Sequence, residues 1–323
     1  MRALLFGLVF LSPPVLKKLW LRWFCRAKIG RGARLGWFSS VIARSIELGD
    51  HCVVRPLTLI QLSERLSLGA YSEISSFCLI YGSSSLSVGD RSYIGPQSLI
   101  NCDEMVSVGH ESALGPRCMV FTHGSFLPYT EGYWVKLAGV TIGNRVWCAA
   151  GVFVHPGVEI GDETFVNSRS VLTQSVPSSS VVEGNPAKVI YPMERLKRKM
   201  SPKRVDAALV HIVRDFAEIS LRRELGIESI EESTGQIRFQ WRGKHYQIAL
   251  IPSTGDTTAI EQPTPSVQQI FLVNAPGWSP PPGAVSFDIA TMRTPLASGP
   301  IQHALRLFMQ RYYGMRFIDE VHA

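Results

Sequence analysis

Between Ile142 and Leu172 an apolar residue returns at every sixth position: Ile142, Cys148, Val154, Ile160, Val166 and Leu172. The same step appears upstream in threes, as Leu68, Ile74, Ile80, then Val88, Ile94, Ile100, then Val108, Leu114, Val120. An apolar-Gly pair marks a longer step of twenty, at Leu48-Gly49, Leu68-Gly69, Val88-Gly89 and Val108-Gly109. A period of six fits neither an amphipathic helix, which repeats at about 3.6, nor a simple strand, which alternates at 2. It fits a short strand and a tight turn, three times per coil. Apolar residues then point inward, and Gly, Asp or Asn are expected at turn positions that need positive φ. Each coil pairs its strands with those above and below, so the rungs share one core. Small side chains four residues after many of these apolar positions (Ser92, Ser98, Ser112, Cys118, Thr164) suit the corners. A leucine-rich repeat also has a period near twenty, but its L-x-x-L-x-L and Asn ladder are absent.

Two departures from the repeat point to function. Val108 and Ile142 are 34 residues apart, which is twenty plus an insertion of fourteen around Thr122 to Lys136. A coil accommodates such an insertion only as a projecting loop, and projecting loops carry function. The step also shortens to eighteen between Ile142 and Ile160, giving a more regular region. His123 opens the insertion, flanked by the small or polar Thr122, Gly124 and Ser125. Imidazole titrates near working pH and so suits the removal of a proton from an attacking group.

The chain of 323 residues is 46% apolar and 18% charged, the composition of a globular protein of more than one structural unit. A net charge of +7 fits an anionic partner, whether nucleic acid, an acidic membrane surface or a phosphorylated ligand. Nucleic acid has only that charge in its favour. The six cysteines lack C-x-x-C spacing and read as packed free thiols in a reducing compartment. The apolar run Ala3 to Leu11 is broken by Ser12-Pro13-Pro14 and falls short of the roughly 20 residues of a spanning helix. A basic helix follows, with Leu16, Leu19, Trp20 and Trp23 at helical spacing. Residues 1–24 either lie in a membrane interface, with Lys and Arg on anionic lipid, or pack on the body of the protein.

The series Ile142-Gly-Asn-Arg-Val-Trp147, His155-Pro-Gly-Val-Glu-Ile-Gly-Asp162, Ser170-Val-Leu-Thr-Gln-Ser-Val-Pro177 and Glu183-Gly-Asn-Pro-Ala-Lys-Val-Ile190 resembles the hexapeptide-repeat acyltransferases. That family includes the maltose, galactoside and polysaccharide O-acetyltransferases, and the resemblance covers about Ile29 to Ile190. It implies a left-handed parallel β-helix, a homotrimer, and acetyl-CoA in the groove between adjacent prisms. It implies further that His123 is the general base and that Asp103, with Asn101 a weaker neighbour, contacts the acceptor sugar. Trp147 matches a position lining the pantetheine channel, and Ala150 and Ser168 match positions whose main-chain groups bond the pantetheine amides. Thr173 matches a hydroxyl near the nucleotide end, and Lys188 a basic residue facing the CoA phosphates. Two positions depart from the pattern: Gln174 stands where a lysine is common, and Arg169 where the side chain is usually small. The aromatics Phe126, Tyr129, Tyr133 and Trp134 either wall a sugar site or pin the loop.

Beyond a basic run from Arg195 to Arg204, residues Val205 to Leu225 read as an amphipathic helix. Strands follow at Ile237–Trp241 and Tyr246–Leu250, joined by a hairpin turn at Arg242–His245, then at Ile270–Val273 and Val285–Ile289. A Pro/Thr-rich link (Thr254 to Pro265) lies between them, and a helix at Pro300 to Tyr313 closes the chain. The expected organisation is an N-terminal amphipathic helical segment (1–28), a left-handed β-helix acyltransferase domain (29–192) and an α+β accessory domain (200–323). The expected protein is mainly β and cytoplasmic, with or without peripheral contact on the inner face of the membrane. Its expected activity is transfer of an acetyl group from acetyl-CoA to a hydroxyl of a sugar or surface-polysaccharide precursor, with no metal. Amino-sugar N-acetylation and a non-catalytic binding module are the alternatives. A zinc-dependent carbonic-anhydrase-like trimer needs three converging histidines, whereas His51, His110 and His123 fall on different coils.

Overall fold

The computed structural model describes residues 2–124, 127–258, 260, 267–296 and 299–320, so Ser125, Phe126 and part of the Pro/Thr-rich link lie outside it. The described chain is mainly β and divides into two compact units, Met1–Arg198 and Lys199–Ala323.

In the first unit the chain visits three sheets in rotation, so each strand pairs with the third strand before and after it. Face 1 runs from Lys28–Ile29 to Glu159–Ile160, face 2 from Arg34–Leu35 to Ala187–Pro192, and face 3 from Ser40–Ile42 to Val171–Leu172. Pairing within each coiled face is parallel, except for the final hairpin of face 2, where Ser180–Gly184 pairs antiparallel with Ala187–Pro192. The six-residue step becomes one residue per face, and the twenty-residue step becomes the register. Val88 lies between Leu68 and Val108, Ile94 between Ile74 and Leu114, and Ile100 between Ile80 and Val120. The insertion leaves this register intact, because Val108 pairs with Ile142, Leu114 with Cys148 and Val120 with Val154. Ile74, Ile94, Ile100, Leu114 and Val120 are fully buried in a single core.

The small polar residues at the corners have a definite task. Ser92 Oγ donates to Gly109 O at 2.7 Å and Ser112 Oγ to Gly143 O at 2.6 Å, satisfying corner carbonyls of the next coil. The structure bears out positive φ for glycine at the Gly32, Gly151 and Gly157 corners and corrects the expected placing of Gly, Asp and Asn elsewhere. The residues that turn the corner there include His51, Tyr71, Arg91, Glu111, Arg145 and Glu163, none of them Gly, Asp or Asn. The recurring glycines sit two positions earlier and are required by space. A Cβ on Gly89 would fall 2.6 Å from Gly109 C, and one on Gly109 would fall 2.5 Å from Gly143 O. The following Asp or Asn bridges coils: Asp90 Oδ1 accepts from Ala70 N at 2.7 Å, and Asn144 Oδ1 from His110 N at 2.8 Å.

Helices α1 (Arg2–Leu11) and α2 (Pro14–Cys25) pack on the opening strands of the coil. Val9, Leu21 and Cys25 join the core. Lys17 is buried beside them, its Nζ donating to Gly36 O at 2.8 Å and Ser39 O at 2.6 Å. Burial lowers its pKa to about 8. The described cysteines are buried, and burial pushes the Cys52 and Cys102 thiols up to about 12 and those of Cys78 and Cys118 to about 11. They serve as small core side chains rather than nucleophiles.

In the second unit a sheet of seven described strands has helices on one face, with Ile237, Phe239, Ile248 and Leu272 meeting Phe216 and Phe308 in the core. The expected helix begins earlier, at Pro202, behind the Ser201 cap, and its last turns (Phe216–Glu224) widen to a π-helix. The hairpin strands are Gln236–Trp241 and Lys244–Ile251, and its turn is the pair Arg242-Gly243, both at positive φ. The strands Ile230–Ser233, Arg293–Pro295 and Ile318–Glu320 escape the sequence pattern because they are short edge or near-edge pieces.

Close coil stacking leads to a first prediction. Gly89→Ala should lower unfolding stability by roughly 2–5 kcal/mol, measured by urea denaturation, because backbone rather than a movable side chain blocks the new methyl.

Candidate active site at the base of the projecting loop

The loop leaves the coil after Met119–Val120 of face 3 and returns at Val140–Ile142 of face 1. Its base is a short ribbon: His123 is bridged to Leu137, Gly124 N donates to Lys136 O at 3.2 Å, and Ala138 N donates to Thr122 O at 2.9 Å. This ribbon fixes His123 at the corner between faces 3 and 1, beside the corner of the preceding coil, where Asn101 and Asp103 stand.

The sequence ranked Asn101 as a minor neighbour; the structure makes it the hub. Fully buried, its Oδ1 accepts from Thr122 Oγ1 at 2.7 Å and meets His123 Nδ1 at 3.0 Å, while its Nδ2 donates to Asp103 Oδ2 at 3.0 Å. Asp103 Oδ2 is itself 3.1 Å from His123 Nδ1. Both atoms facing Nδ1 are acceptors, a geometry that suits Nδ1 as the donor and leaves Nε2 as the nitrogen turned away from the hub. Thr122, which no spacing rule singled out, locks the hub from beneath. The Asn101 amide, the Ser83 N–H and the nearby His123 hold the Asp103 carboxyl below its ordinary value against a smaller effect of burial.

Around this corner lies an aromatic column. Phe121 stacks on Phe153 with centroids 5.4 Å apart, and Phe153 lies 4.9 Å from His155. Thr173 follows the last strand of face 3, at the position that Phe121 and His155 occupy on earlier coils. Tyr129, Tyr133 and Trp134 are exposed on the loop, and Phe126 lies outside the described residues. A cleft of about 660 Å³ adjoins the returning strand, lined in part by Ser107, Lys136, Thr141 and Glu159.

The other expected site residues gather elsewhere. Trp147 projects from face 2, partly exposed, in register between Ala113 and Phe165. Ala150 and Ser168 form the corner between faces 2 and 3 on successive coils, and Lys188 pairs with Glu183 on the closing hairpin. Glu183 in turn accepts from Asn167, next to Ser168, at 3.1 Å. Two main-chain atoms at this corner are already engaged: Ala150 O accepts from Arg169 N, and Ser168 N donates to Asn167 Oδ1. Ala150 N–H and Ser168 O have no hydrogen-bond partner among the described residues. Arg169 is exposed and turns its corner at φ 60°, so its bulk lies outside the coil. The corner that holds Ala150 and Ser168, next to Trp147, and the corner that holds His123 thus lie on opposite sides of face 3, roughly 17 Å for five residues of strand. Among the described residues no group of three or more His, Cys, Asp or Glu is placed to hold a metal ion.

No family model matches the chain. The putative colanic acid biosynthesis acetyltransferase WcaF of Escherichia coli K12 is 42% identical over 67 residues, covering 21% of this chain and 37% of that protein. The galactoside O-acetyltransferase of the same strain is 41% identical over 51 residues, 16% of this chain and 25% of that one. The chain therefore spans only about a quarter to a third of the length of these relatives. Among solved structures, a Bacillus cereus N-acyltransferase, AntD, crystallised with dTDP-4-amino-4,6-dideoxyglucose and coenzyme A, aligns at TM-score 0.41 and 17% identity. That alignment covers 62% of this chain and 95% of AntD. A hexapeptide-repeat acetyltransferase of Vibrio cholerae complexed with acetyl coenzyme A aligns at TM-score 0.34 and 18% identity, over 59% and 84%. The structural likenesses are too slight to carry function. The sequence relatives bear out the resemblance to the hexapeptide-repeat acyltransferases over part of the chain.

The lowered Asp103 pKa has a testable sign. Its contribution to stability should be complete above the unfolded value of 3.8 and disappear as pH falls through the lower folded value. The stability gap between wild type and Asp103→Asn should therefore be widest at neutral pH and narrow as pH falls below 3.8 in urea denaturation.

Proposed function

We propose that this chain is an acyltransferase that moves an acetyl group from acetyl-CoA to a saccharide acceptor, with His123 as general base. The observation that carries the reading is the pair of acceptors on His123 Nδ1, which leaves Nε2 as the basic atom on a partly exposed ring. In the proposed reaction the acceptor O–H attacks the thioester carbonyl carbon while Nε2 takes its proton. The tetrahedral oxyanion then collapses, the C–S bond breaks, and the proton on Nε2 passes to the departing CoA thiolate. Asn101 and Asp103 hold the ring and favour the imidazolium that forms. Besides contacting the acceptor sugar, as the resemblance implies, Asp103 is thus assigned an orienting role.

Trp147 is proposed to line the pantetheine arm and exclude water from the thioester. Ala150 N–H and Ser168 O would bond its amides, Thr173 would lie near the nucleotide, and Lys188 would face the phosphates. Two features support a cleft completed by a second copy, as in the homotrimer of a left-handed β-helix that the resemblance implies. The base and the Trp147 group lie on different edges of one chain, and face 3 is too wide for a side chain to span. A saccharide acceptor is favoured by the cleft beside the loop, where the Ser107 and Thr141 hydroxyls and the Glu159 carboxylate suit a ligand rich in hydroxyl groups. A hydroxyl acceptor is preferred on the relatives named as sugar O-acetyltransferases; an amino-sugar acceptor would use the same base.

His123→Ala should reduce turnover by about 10²–10⁴-fold while acetyl-CoA affinity stays within a factor of about two. Unchanged turnover removes the base assignment. Lys188→Ala should weaken acetyl-CoA binding by about 1–3 kcal/mol in calorimetry, with a smaller change in turnover at saturating donor. Mass spectrometry of products from sugar nucleotides and oligosaccharides identifies the acceptor and distinguishes an ester from an amide.

A further inference from the structure

We propose that the outward faces of α1 and α2 dock this chain on an anionic lipid bilayer. The sequence leaves two readings open for residues 1–24, membrane contact or packing on the protein, and the structure divides these tasks between two faces. The inner face is committed to the coil: Val9, Leu21 and Cys25 are buried in its core, and Lys17 is bonded to Gly36 and Ser39. The outer face is exposed among the described residues. On α1 the stripe Leu4, Leu8, Leu11 is exposed, Leu4 by 81% and Leu11 by 69%. On α2 the stripe Val15, Leu19, Trp23 is exposed, Val15 by 75% and Trp23 by 79%, with Phe24 beside it.

These positions recur at helical spacing, so each stripe is continuous along its helix. After Arg2, helix α1 carries no polar side chain up to Leu11. A helix apolar on every side is expected inside a core or in lipid, yet here one side faces outward. A scattered exposed leucine needs no explanation; two exposed stripes on consecutive helices do. Among the described residues no helix is long and apolar enough to cross a membrane, so the contact is interfacial.

Charge selects the occupant. The first 46 residues contain nine lysines and arginines and no acidic residue, Glu47 being the first. Arg22 and Arg26 are exposed and flank the Trp23 stripe, while Lys18 is half-buried. Aromatic and aliphatic side chains bordered by cations match the boundary between acyl chains and anionic headgroups. The geometry also gives the docked protein a reach. Met119–Val120, which leads into His123, stands four rungs from the opening strand of face 3, and rungs are about 4.8 Å apart. The candidate site therefore lies about 19 Å along the coil from the strand against which α1 packs. Such a protein would meet saccharides displayed from the same bilayer.

Vesicle binding tests this without reference to catalysis, so it can fail or succeed independently of the acyltransferase reading. The full chain is centrifuged with vesicles of phosphatidylcholine alone and of phosphatidylcholine mixed with phosphatidylglycerol. The expected result is co-sedimentation with the mixed vesicles, reduced at least about fivefold on neutral ones. Leu19→Ser/Trp23→Ser and Arg22→Glu/Arg26→Glu should each reduce it by a similar factor while melting temperature is unchanged, since these side chains do not enter the core. Equal sedimentation of wild type and both variants overturns the proposal, as does no binding to either vesicle. It is also overturned if the stripes join copies of the chain, seen as a larger species without lipid that Leu19→Ser/Trp23→Ser dissociates.

Discussion

Neighbouring coils approach so closely that the backbone of one occupies the space of a side chain on the next. At Gly49, Gly69, Gly89 and Gly109 a Cβ would sit within 2.7 Å of backbone on the following coil. This contact sets the register, and the register sets the rest. Once the coils are locked twenty residues apart, Ile74, Ile94 and Leu114 must stack in the core, and the next residues out must line one face. Corner carbonyls that would otherwise be buried without partners find the Ser92 and Ser112 hydroxyls. Hydrophobic burial supplies most of the driving force, and the close glycine contact decides which strand each strand meets.

The same register builds the candidate site. Asn101 and Thr122 are 21 residues apart, one coil plus one residue, which puts the amide and hydroxyl in contact across the rungs. Because the insertion begins after that pairing is complete, His123 starts from a fixed point even though a long loop follows. Orientation of an imidazole through Nδ1 needs an acceptor held more rigidly than a surface carboxylate, and a buried, fully bonded asparagine supplies one. Asp103 adds charge to that scaffold, and its own position is held by Asn101 and Ser83.

Much of this was legible in the sequence. The six-residue step gave the strands and inward residues, the 34-residue gap gave the loop, and the closing Gly-Asn-Pro-Ala-Lys series gave the resemblance. What escaped the sequence has physical causes. The corner conformation is shared by Tyr71, Arg91 and Glu163, residues with no chemical feature in common, because stacking imposes it and propensity does not. The importance of Asn101 depends on contacts to the next coil, which a linear pattern does not display. The separation of Trp147 from His123 is a property of the coil's width. In the second unit the hairpin was legible around Arg242-Gly243, whereas the helix starts at Pro202, three residues before the apolar pattern that opens at Val205, and three-residue strands such as Arg293–Pro295 are too short to show any period.

A crystal structure of the full chain grown with coenzyme A tests the central claim most directly. The account predicts the thiol in a cleft with Trp147 on one side and His123 on the other, with His123 Nε2 about 3–4 Å from the place of the attacking oxygen. Asn101 Oδ1 and Asp103 Oδ2 should still face Nδ1. A thiol bound far from His123, or an imidazole turned so that Nε2 rather than Nδ1 meets Asn101, would contradict it.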